Sequence, residues 1–190
     1  MFDSFLSALL SADSALLRAT LAAPHPEWLN RLFLAASFAG MGGSLWIATA
    51  ALLWATRRIG VRDVVAVLAA VALVHLVVDV VLKPAFARPR PSDSTLSHVR
   101  GDGPRSPSFP SGHAANASAA ALILTRRWPK HRALVWSAAA LVATARVYLG
   151  WHYPGDAVGG MLTGLACAGI VLLLSSRSEA HRVFRSEAGG

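Results

Sequence analysis

The side chains best suited to chemistry are two histidines and a carboxylate that border apolar segments of the chain, His113, His152 and Asp156. His152 and Asp156 are four residues apart, so across one helical turn the carboxylate can reach the imidazole ring. Such a contact fixes the tautomer of the ring and makes its other nitrogen a stronger nucleophile. The spacing therefore predicts an activated imidazole.

A second group of residues is suited to binding a phosphate. Ser111 is a natural N-cap for the apolar helix that follows it, and Gly112 lets an anion approach the first free backbone N–H groups. Three cationic side chains border the same polar segments, and an arginine can bind two phosphate oxygens at once; they are Lys83, Arg90 and Arg146. The pattern predicts a phosphate site at a helix N-terminus.

A metal site is the alternative interpretation of the two histidines. Zinc would need further ligands, and these polar segments offer only one more histidine, His98, and no cysteine. We therefore expect no metal ion and no cofactor. The single cysteine of the chain, Cys167, has no partner for an internal disulfide bond.

The composition indicates what kind of protein must position these groups. Of the 190 residues, 54% are hydrophobic and only 15% are charged, the mean hydropathy is +0.48 and the formal net charge is +8. A soluble domain carries about 25% charged residues. We expect a single membrane domain over residues 1–190 that faces anionic lipid or an anionic substrate. The basic residues occur in short clusters between apolar runs, which disfavours nucleic-acid binding.

Apolar runs divide the chain into candidate membrane-spanning helices. The first 22 residues fit a helix with one apolar face, which could cross the membrane or lie at its surface. We predict an all-α, polytopic membrane helical bundle of five or six transmembrane helices, with a polar loop over 84–110 and a charged tail over 175–190. The five clear runs are Leu32–Ala55, Val64–Leu82, Ala114–Thr125, Ala133–Ala145 and Ala157–Leu174.

The distribution of basic residues predicts the orientation of this bundle. If the five spans alternate, one set of loops holds ten of the Lys and Arg residues and the other holds seven. The positive-inside rule places the set of ten, with the tail over 175–190, in the cytoplasm. Residues 83–113 and 145–156 then emerge together on the extracytoplasmic side, so all the candidate groups meet at one membrane surface. Anchoring in lipid headgroups is the favoured role of the remaining arginines of the loop, Arg88, Arg100 and Arg105.

Two ionisable residues interrupt the second apolar run. His75, Asp79 and Lys83 are each four residues apart and therefore line one face of a helix, with Asp79 about 6 Å below Lys83 along the axis. Ionisable groups inside a membrane span are costly and are usually paired or functional. Either the polar pair only packs helices together, or Asp79 positions Lys83 for the phosphate.

Three motifs in these segments resemble those of the type 2 phosphatidic acid phosphatases (PAP2), which share a core with vanadium haloperoxidases. The first motif, Lys, six residues, Arg-Pro, is found here from Lys83 to Pro91, and the second, Pro-Ser-Gly-His, is found at 110–113. The third, Ser-Arg, five residues, His, three residues, Asp, is found at 145–156, with Ala145 in place of the usual serine. All three motifs are in order and have the spacing of the family.

The resemblance implies a PAP2/haloperoxidase-like core and a metal-independent lipid phosphatase with a phosphohistidine intermediate. His152 would be the nucleophile, Asp156 would orient it, and His113 would protonate the leaving oxygen and later activate water. The hydroxyl that is missing at Ala145 is not a catalytic group. Its absence would therefore affect fine specificity and not the reaction itself. The residues that would hold the phosphoryl group are Lys83, Arg90, Ser111, Gly112 and Arg146.

The resemblance also implies a substrate class and a location. A short chain with little beyond the core resembles the bacterial enzymes that convert undecaprenyl pyrophosphate to undecaprenyl phosphate for cell wall biogenesis in the plasma membrane. A phosphatidylglycerophosphate or phosphatidic acid phosphatase is the alternative within the class. A small polytopic transporter is the alternative outside it, but a transporter would spread polar residues through several spans. An inactive relative is disfavoured by the presence of His113, His152 and Asp156.

Overall fold

The computed structural model describes residues 2–91 and 106–188, with side chains over 4–91 and 106–176. Part of the predicted polar loop, including His98, Arg100 and Arg105, lies outside the described residues. Within them the secondary structure is helical and no β-strand occurs. The α-helices are α1 (Phe2–Ala22), α2 (Glu27–Ala39), α3 (Ser44–Ala55), α4 (Val61–His75), α5 (Lys83–Phe86), α6 (Gly112–Arg127), α7 (Arg132–Tyr148) and α8 (Pro154–Ala188).

The second apolar run forms a longer helix than the sequence predicted. A π-helical segment over Leu76–Leu82 joins α4 to α5, so one apolar helix covers Val61–Phe86. At the end of the π-helical segment the backbone N–H of Lys83 donates to a carbonyl five residues earlier. Pro84 lies within the last two turns of this long helix, in the first turn of α5. The predicted loop therefore begins at Ala87 and not at Pro84.

The first apolar run is broken, which corrects the prediction of one uninterrupted span over Leu32–Ala55. α2 and α3 are bent by 53° at a glycine-rich turn. Gly42 and Gly43 have φ angles of 59° and 79°, a left-handed backbone conformation that glycine adopts without a steric penalty. The run is apolar enough for one span, but its backbone cannot continue as one helix through these glycines.

Fewer helices than predicted have the length of a membrane span. By length and composition, three helices are long and apolar enough to cross a membrane, or four if the bent α2–α3 pair counts as one. By length and composition alone, α1 is among the three. α6 and α7 have 16 and 17 residues, short of the roughly 20 that a span needs. Five or six spans were expected.

The core of the bundle is built around α6, which packs against α4, α7 and α8. Its buried side chains are mostly alanines, and small residues let neighbouring helices approach closely. An added Cβ at Gly160 or Gly164 of α8 would lie only 2.3 Å from the Ser111 carbonyl oxygen or 2.0 Å from that of Ala115. This tight contact fixes the beginning of α6 against the beginning of α8, and these two ends carry the second and third motifs.

Candidate active site

The three motifs converge at one end of the bundle, where α5 and α7 end and where α6 and α8 begin. Backbone hydrogen bonds join the segments there. The Ser111 N–H donates to the Asp156 carbonyl at 2.9 Å, and the N–H groups of Trp151 and His152 donate to the Arg146 carbonyl at 3.0 and 3.1 Å. These bonds bring together, in one site, the side chains of motifs that are far apart in the sequence.

His152 is held between a cation and a carboxylate, and its side chain is 2% exposed. Its Nδ1 lies 3.4 Å from Oδ2 of Asp156, and its Nε2 lies 3.2 Å from Nη1 of Arg90. A guanidinium group only donates hydrogen bonds, so Nε2 is the acceptor and the ring proton resides on Nδ1, on the side of Asp156. This tautomer leaves the lone pair on Nε2 free of a proton, as a nucleophilic imidazole requires.

Burial is the main influence on the protonation of His152. It lowers the pKa of the imidazole to about 4. The positive charges of Arg90 and Arg146 act in the same direction, whereas Asp156 raises the pKa. The ring is therefore neutral at neutral pH, which is the form that can attack phosphorus.

Asp156 is fully buried, and its two oxygens have separate partners. Oδ2 accepts hydrogen bonds from the Ser108 hydroxyl and from the Tyr153 N–H at 2.9 Å, and it is also the oxygen that faces His152. Oδ1 accepts a hydrogen bond from Nη1 of Arg88 at 2.7 Å. A carboxylate can remain charged inside a protein when it is paired and hydrogen-bonded in this way.

Arg88 and Asp13 belong to the site although the sequence did not predict them there. Arg88 was expected to anchor in headgroups, but its side chain is only 17% exposed and bridges Asp156 and Asp13, at 2.7 Å each. Its guanidinium also lies over the ring of Tyr153, 4.0 Å from the centroid. The sequence did contain an indication of the role of Asp13, which is a carboxylate in an otherwise apolar segment. The same feature made Asp79 a candidate.

Two further arginines border the imidazole of His152. Arg146 is 3% exposed, donates to the Ser37 hydroxyl and stacks on the ring of Trp151. Arg90 donates to the Trp151 carbonyl at 2.7 Å in addition to its contact with His152. The Nε of Arg146 is buried without a hydrogen-bond partner among the described residues. Both guanidinium groups would therefore meet an anion bound beside His152.

The second motif forms the first turn of α6. Ser111 is the N-cap, and its hydroxyl accepts a hydrogen bond from the N–H of Ala114 at 3.5 Å, as the sequence predicted for a cap. Gly112 begins the helix, and His113 follows on its first turn. His113 interacts electrostatically with His152, and its Nε2 is buried with no hydrogen-bond partner in the described part of the chain. A nitrogen in that state is available to a ligand.

Lys83 and Asp79 form an ion pair at the end of the long helix. Nζ of Lys83 lies 2.6 Å from Oδ1 of Asp79, and Nδ1 of His75 lies 2.9 Å from Oδ2 of the same carboxylate. The Lys83 side chain is 12% exposed and the Asp79 side chain is 43% exposed. The three residues thus share one helical face, as their spacing predicted.

The rest of the described part of the molecule offers no comparable group of side chains. Across residues 4–91 and 106–176, whose side chains are described, no three His, Cys, Asp or Glu side chains are grouped as metal ligands would be. Two cavities of about 480 and 590 Å³ lie at the opposite end of the bundle, around Arg62, Asp63 and Arg127. None of the predicted site residues lines either cavity.

Fold and site together define a class of membrane protein: an apolar helical bundle with two histidines, a buried carboxylate and several cations gathered at one end. Residues 63–180 match the family model of the PAP2 superfamily. The chain therefore belongs to this family, and the resemblance drawn from the three motifs is confirmed.

Individual relatives are similar over part of their length. The chain is 34% identical over 118 residues to phosphatidylglycerophosphatase B of Bacillus subtilis, which covers 56% of this chain and 54% of that protein. It is 34% identical over 125 residues to an undecaprenyl-diphosphatase of Sulfolobus acidocaldarius, covering 63% and 58%. The chain spans about half the length of these curated relatives.

A solved structure is similar over most of the chain. The crystal structure of a transmembrane PAP2 type phosphatidylglycerolphosphate phosphatase from Bacillus subtilis superposes with a TM-score of 0.70 at 29% identity. The match covers 90% of this chain and 87% of that one. The helical arrangement described above is therefore shared with a membrane member of the family.

Proposed function

We propose that the protein is a metal-independent phosphatase of membrane lipids that acts through a phosphohistidine intermediate. The environment of His152 carries this proposal: its Nε2 is unprotonated beside Arg90, and its Nδ1 faces the buried Asp156. A neutral ring held in this orientation is a nucleophile, and the adjacent guanidinium attracts the phosphate. Membership of the PAP2 superfamily supports the same chemistry.

The reaction would proceed in two steps. In the first, Nε2 of His152 forms a bond to phosphorus as the bond from phosphorus to the leaving oxygen breaks, and His113, which carries a proton in the substrate complex, gives that proton to the leaving oxygen. Asp156 then accepts the Nδ1–H hydrogen bond of a ring that has become positively charged. In the second step His113 takes a proton from water, the water oxygen attacks phosphorus, and the N–P bond breaks to release phosphate and restore His152.

The cations of the site would stabilise the negative charge on the phosphoryl oxygens during both steps. The structure holds Arg90 and Arg146 beside the nucleophile, which supports this role for both. Lys83 interacts electrostatically with His113, so it lies near the same position. The backbone N–H groups that follow Ser111 are the remaining donors, and Gly112 leaves them open to an anion.

A lipid phosphate is the substrate class that fits the position of the site. The site lies at the end of a bundle of apolar helices, at the level where lipid headgroups would be. Within this class we propose undecaprenyl pyrophosphate, converted to undecaprenyl phosphate on the extracytoplasmic side of a bacterial plasma membrane. The similarity to the undecaprenyl-diphosphatase of Sulfolobus acidocaldarius supports this choice.

Phosphatidylglycerophosphate is the second candidate substrate, and phosphatidic acid a third. The phosphatidylglycerophosphate candidate is supported by the similarity to phosphatidylglycerophosphatase B and to the crystal structure from the same organism. The two leading candidates differ in the leaving group, which is a lipid phosphate in one and a glycerol oxygen in the other. A direct comparison of substrates distinguishes them.

The test is phosphate release by the purified chain from a panel of lipids in detergent: undecaprenyl pyrophosphate, phosphatidylglycerophosphate, phosphatidic acid and diacylglycerol pyrophosphate. We expect the highest kcat/KM for undecaprenyl pyrophosphate, unchanged rates in EDTA, and inhibition by vanadate, which mimics pentacoordinate phosphorus. A higher kcat/KM for phosphatidylglycerophosphate would replace the first substrate by the second. Loss of activity in EDTA that zinc or magnesium restores would contradict the mechanism.

A further inference from the structure

We propose that Asp13, on the N-terminal helix α1, is a positioning residue of the active site that acts through Arg88 on Asp156. The inference rests on the phosphohistidine mechanism proposed above and adds to it a residue outside the three motifs. Asp13 also lies outside residues 63–180, which match the family model.

The guanidinium group of Arg88 is divided between two carboxylates. Its Nη1 donates to Oδ1 of Asp156 and its Nη2 donates to Oδ2 of Asp13, both at 2.7 Å. The side chains of Asp13, Arg88 and Asp156 are 14%, 17% and 0% exposed, so the three charges are largely shielded from solvent. The ring of Tyr153 covers the guanidinium plane and restricts its rotation.

Asp13 has a second contact, on the residue next to Asp156. Its Oδ1 accepts a hydrogen bond from the backbone N–H of Gly155 at 2.7 Å, in the first turn of α8. An added Cβ at Gly155 would lie 2.8 Å from Oδ2 of Asp13, so the carboxylate occupies the space that a side chain would need. One carboxylate of α1 therefore holds both Arg88 and the turn of backbone that carries Asp156.

The consequence for catalysis follows from the geometry of arginine. A guanidinium group readily binds both oxygens of one carboxylate in parallel. Because Asp13 occupies Nη2, Arg88 contacts only Oδ1 of Asp156 and leaves Oδ2 to face His152. Without Asp13, Nη2 is free to bind Oδ2 and to compete with Nδ1–H of His152. The ring would then lose its orienting partner in the step that makes it positive.

The rest of α1 does not explain why it carries this carboxylate. Its Leu17 and Leu21 pack against Val147 and Tyr153, so apolar side chains also attach the helix to the bundle. A charge in an apolar helix is costly, and such charges usually pair at functional positions. The other large apolar side chains that the structure describes in α1 are exposed, and they are Phe5, Leu6, Leu9, Leu10 and Leu16.

The experiment compares Asp13→Asn with a matched control, Asp63→Asn. Asp63 pairs with Arg127 at 3.0 Å at the other end of the bundle, so its variant also loses a carboxylate that binds an arginine, but far from the site. We measure kcat and KM on the best lipid of the panel, the rate of His152 phosphorylation in a rapid quench, and the thermal unfolding temperature. Asp13→Asn is expected to lower kcat and the phosphorylation rate about tenfold with KM within about twofold, and Asp63→Asn to change neither.

A double-mutant cycle separates a positioning role from general stabilisation. Asp13→Asn should add little to the loss caused by Arg88→Lys. A lysine has a single ammonium group and cannot bind two carboxylates through separate NH₂ groups as the guanidinium of Arg88 does. Fully additive losses in kcat, or an Asp13→Asn variant with wild-type kcat, would overturn the proposal. If Asp13→Asn does not fold, Asp13→Glu displaces the carboxylate by one methylene group and should lower kcat severalfold at unchanged KM; a wild-type kcat there overturns it as well.

The outcomes also distinguish this inference from the function on which it rests. If wild-type protein forms no phosphohistidine with any lipid or with p-nitrophenyl phosphate, the proposed mechanism fails and the inference fails with it. If the wild-type protein is phosphorylated at His152 and Asp13→Asn is phosphorylated equally fast, only the inference fails.

Discussion

At the scale of single residues, the properties of His152 come from three different neighbours. Burial keeps the ring neutral, Arg90 leaves the proton off Nε2, and the charged Asp156 faces the proton that remains on Nδ1. No one of these contacts alone makes a nucleophile. The arrangement therefore predicts distinct effects for removing the ring and for protonating it.

Removing the imidazole should abolish turnover. His152→Ala takes away the atom that bonds to phosphorus, so we expect kcat to fall at least about a thousandfold and the phosphohistidine to disappear. His131→Ala is the control, because His131 stacks on Trp128 at the opposite end of the bundle. Near wild-type phosphate release by folded His152→Ala would show that another group is the nucleophile.

Protonating the imidazole should also stop the reaction, but only at low pH. The pKa of His152 is lowered to about 4, so the neutral ring persists down to that value and activity falls as pH drops through it. We expect the acidic limb of kcat/KM well below the usual histidine pKa of about 6.5. The ionisation of the lipid phosphate, measured by ³¹P NMR on the lipid alone, is accounted for separately. An acidic limb near pH 6.5 that belongs to the enzyme would contradict this assignment.

At the scale of elements, the helix over Val61–Phe86 carries both Lys83 and the carboxylate that pairs with it. Asp79 lies one turn below Lys83 and pairs with it, so we propose that it holds the ammonium group in one position. Asp79→Asn should reduce kcat/KM about tenfold, on the order of 1.4 kcal/mol of transition-state stabilisation. Asp79→Asn combined with Lys83→Met should be little worse than Lys83→Met alone. Additive losses would indicate that Asp79 acts through its other partner, His75.

The contact between α6 and α8 sets the distance between the second and third motifs. Gly164→Ala would place a methyl group 2.0 Å from the Ala115 carbonyl oxygen, so the helices must separate. We expect a loss of about 1 to 3 kcal/mol in the free energy of unfolding, measured in mixed micelles, together with a lower kcat. Gly169→Ala is the matched control, because no atom lies within 4 Å of its added Cβ. Equal stability of the two variants would contradict this account of the packing.

At the scale of the whole molecule, the prediction concerns which side of the membrane the site faces. The excess of basic residues at the opposite end predicts an extracytoplasmic site. In a Cys167→Ala background, Ala23→Cys lies between α1 and α2 at the site end, close to where His25 contacts Tyr148, and Thr56→Cys lies at the other end, close to where Arg58 contacts Trp128. An impermeant thiol reagent should label Ala23→Cys in intact cells and label Thr56→Cys only after the membrane is breached. The reverse pattern would invert the topology.

The sequence predicted some structural features well because they depend on local spacing. The four-residue intervals among His75, Asp79 and Lys83 predicted their shared helical face, and Ser111 could be recognised as a cap. Features that depend on the tertiary fold were missed or wrong. The bend at Gly42 and Gly43 depends on how the surrounding helices pack. A run of apolar residues also looks the same in the sequence whether lipid or protein surrounds it in the fold. The lengths and composition of the helices therefore support three or four spans and do not confirm five or six.

By itself, the sequence determined the family, the helical class and the membrane character of this protein. Motif spacing and the shortage of charged residues can be read directly from the order and composition of the residues. Only the tertiary structure decided which charges meet. Asp13 and Arg88 are 75 residues apart in the sequence. Only folding brings Arg88 into contact with both Asp13 and Asp156. Ion pairing depends on distance in space and on burial, and neither quantity can be read from positions along the chain.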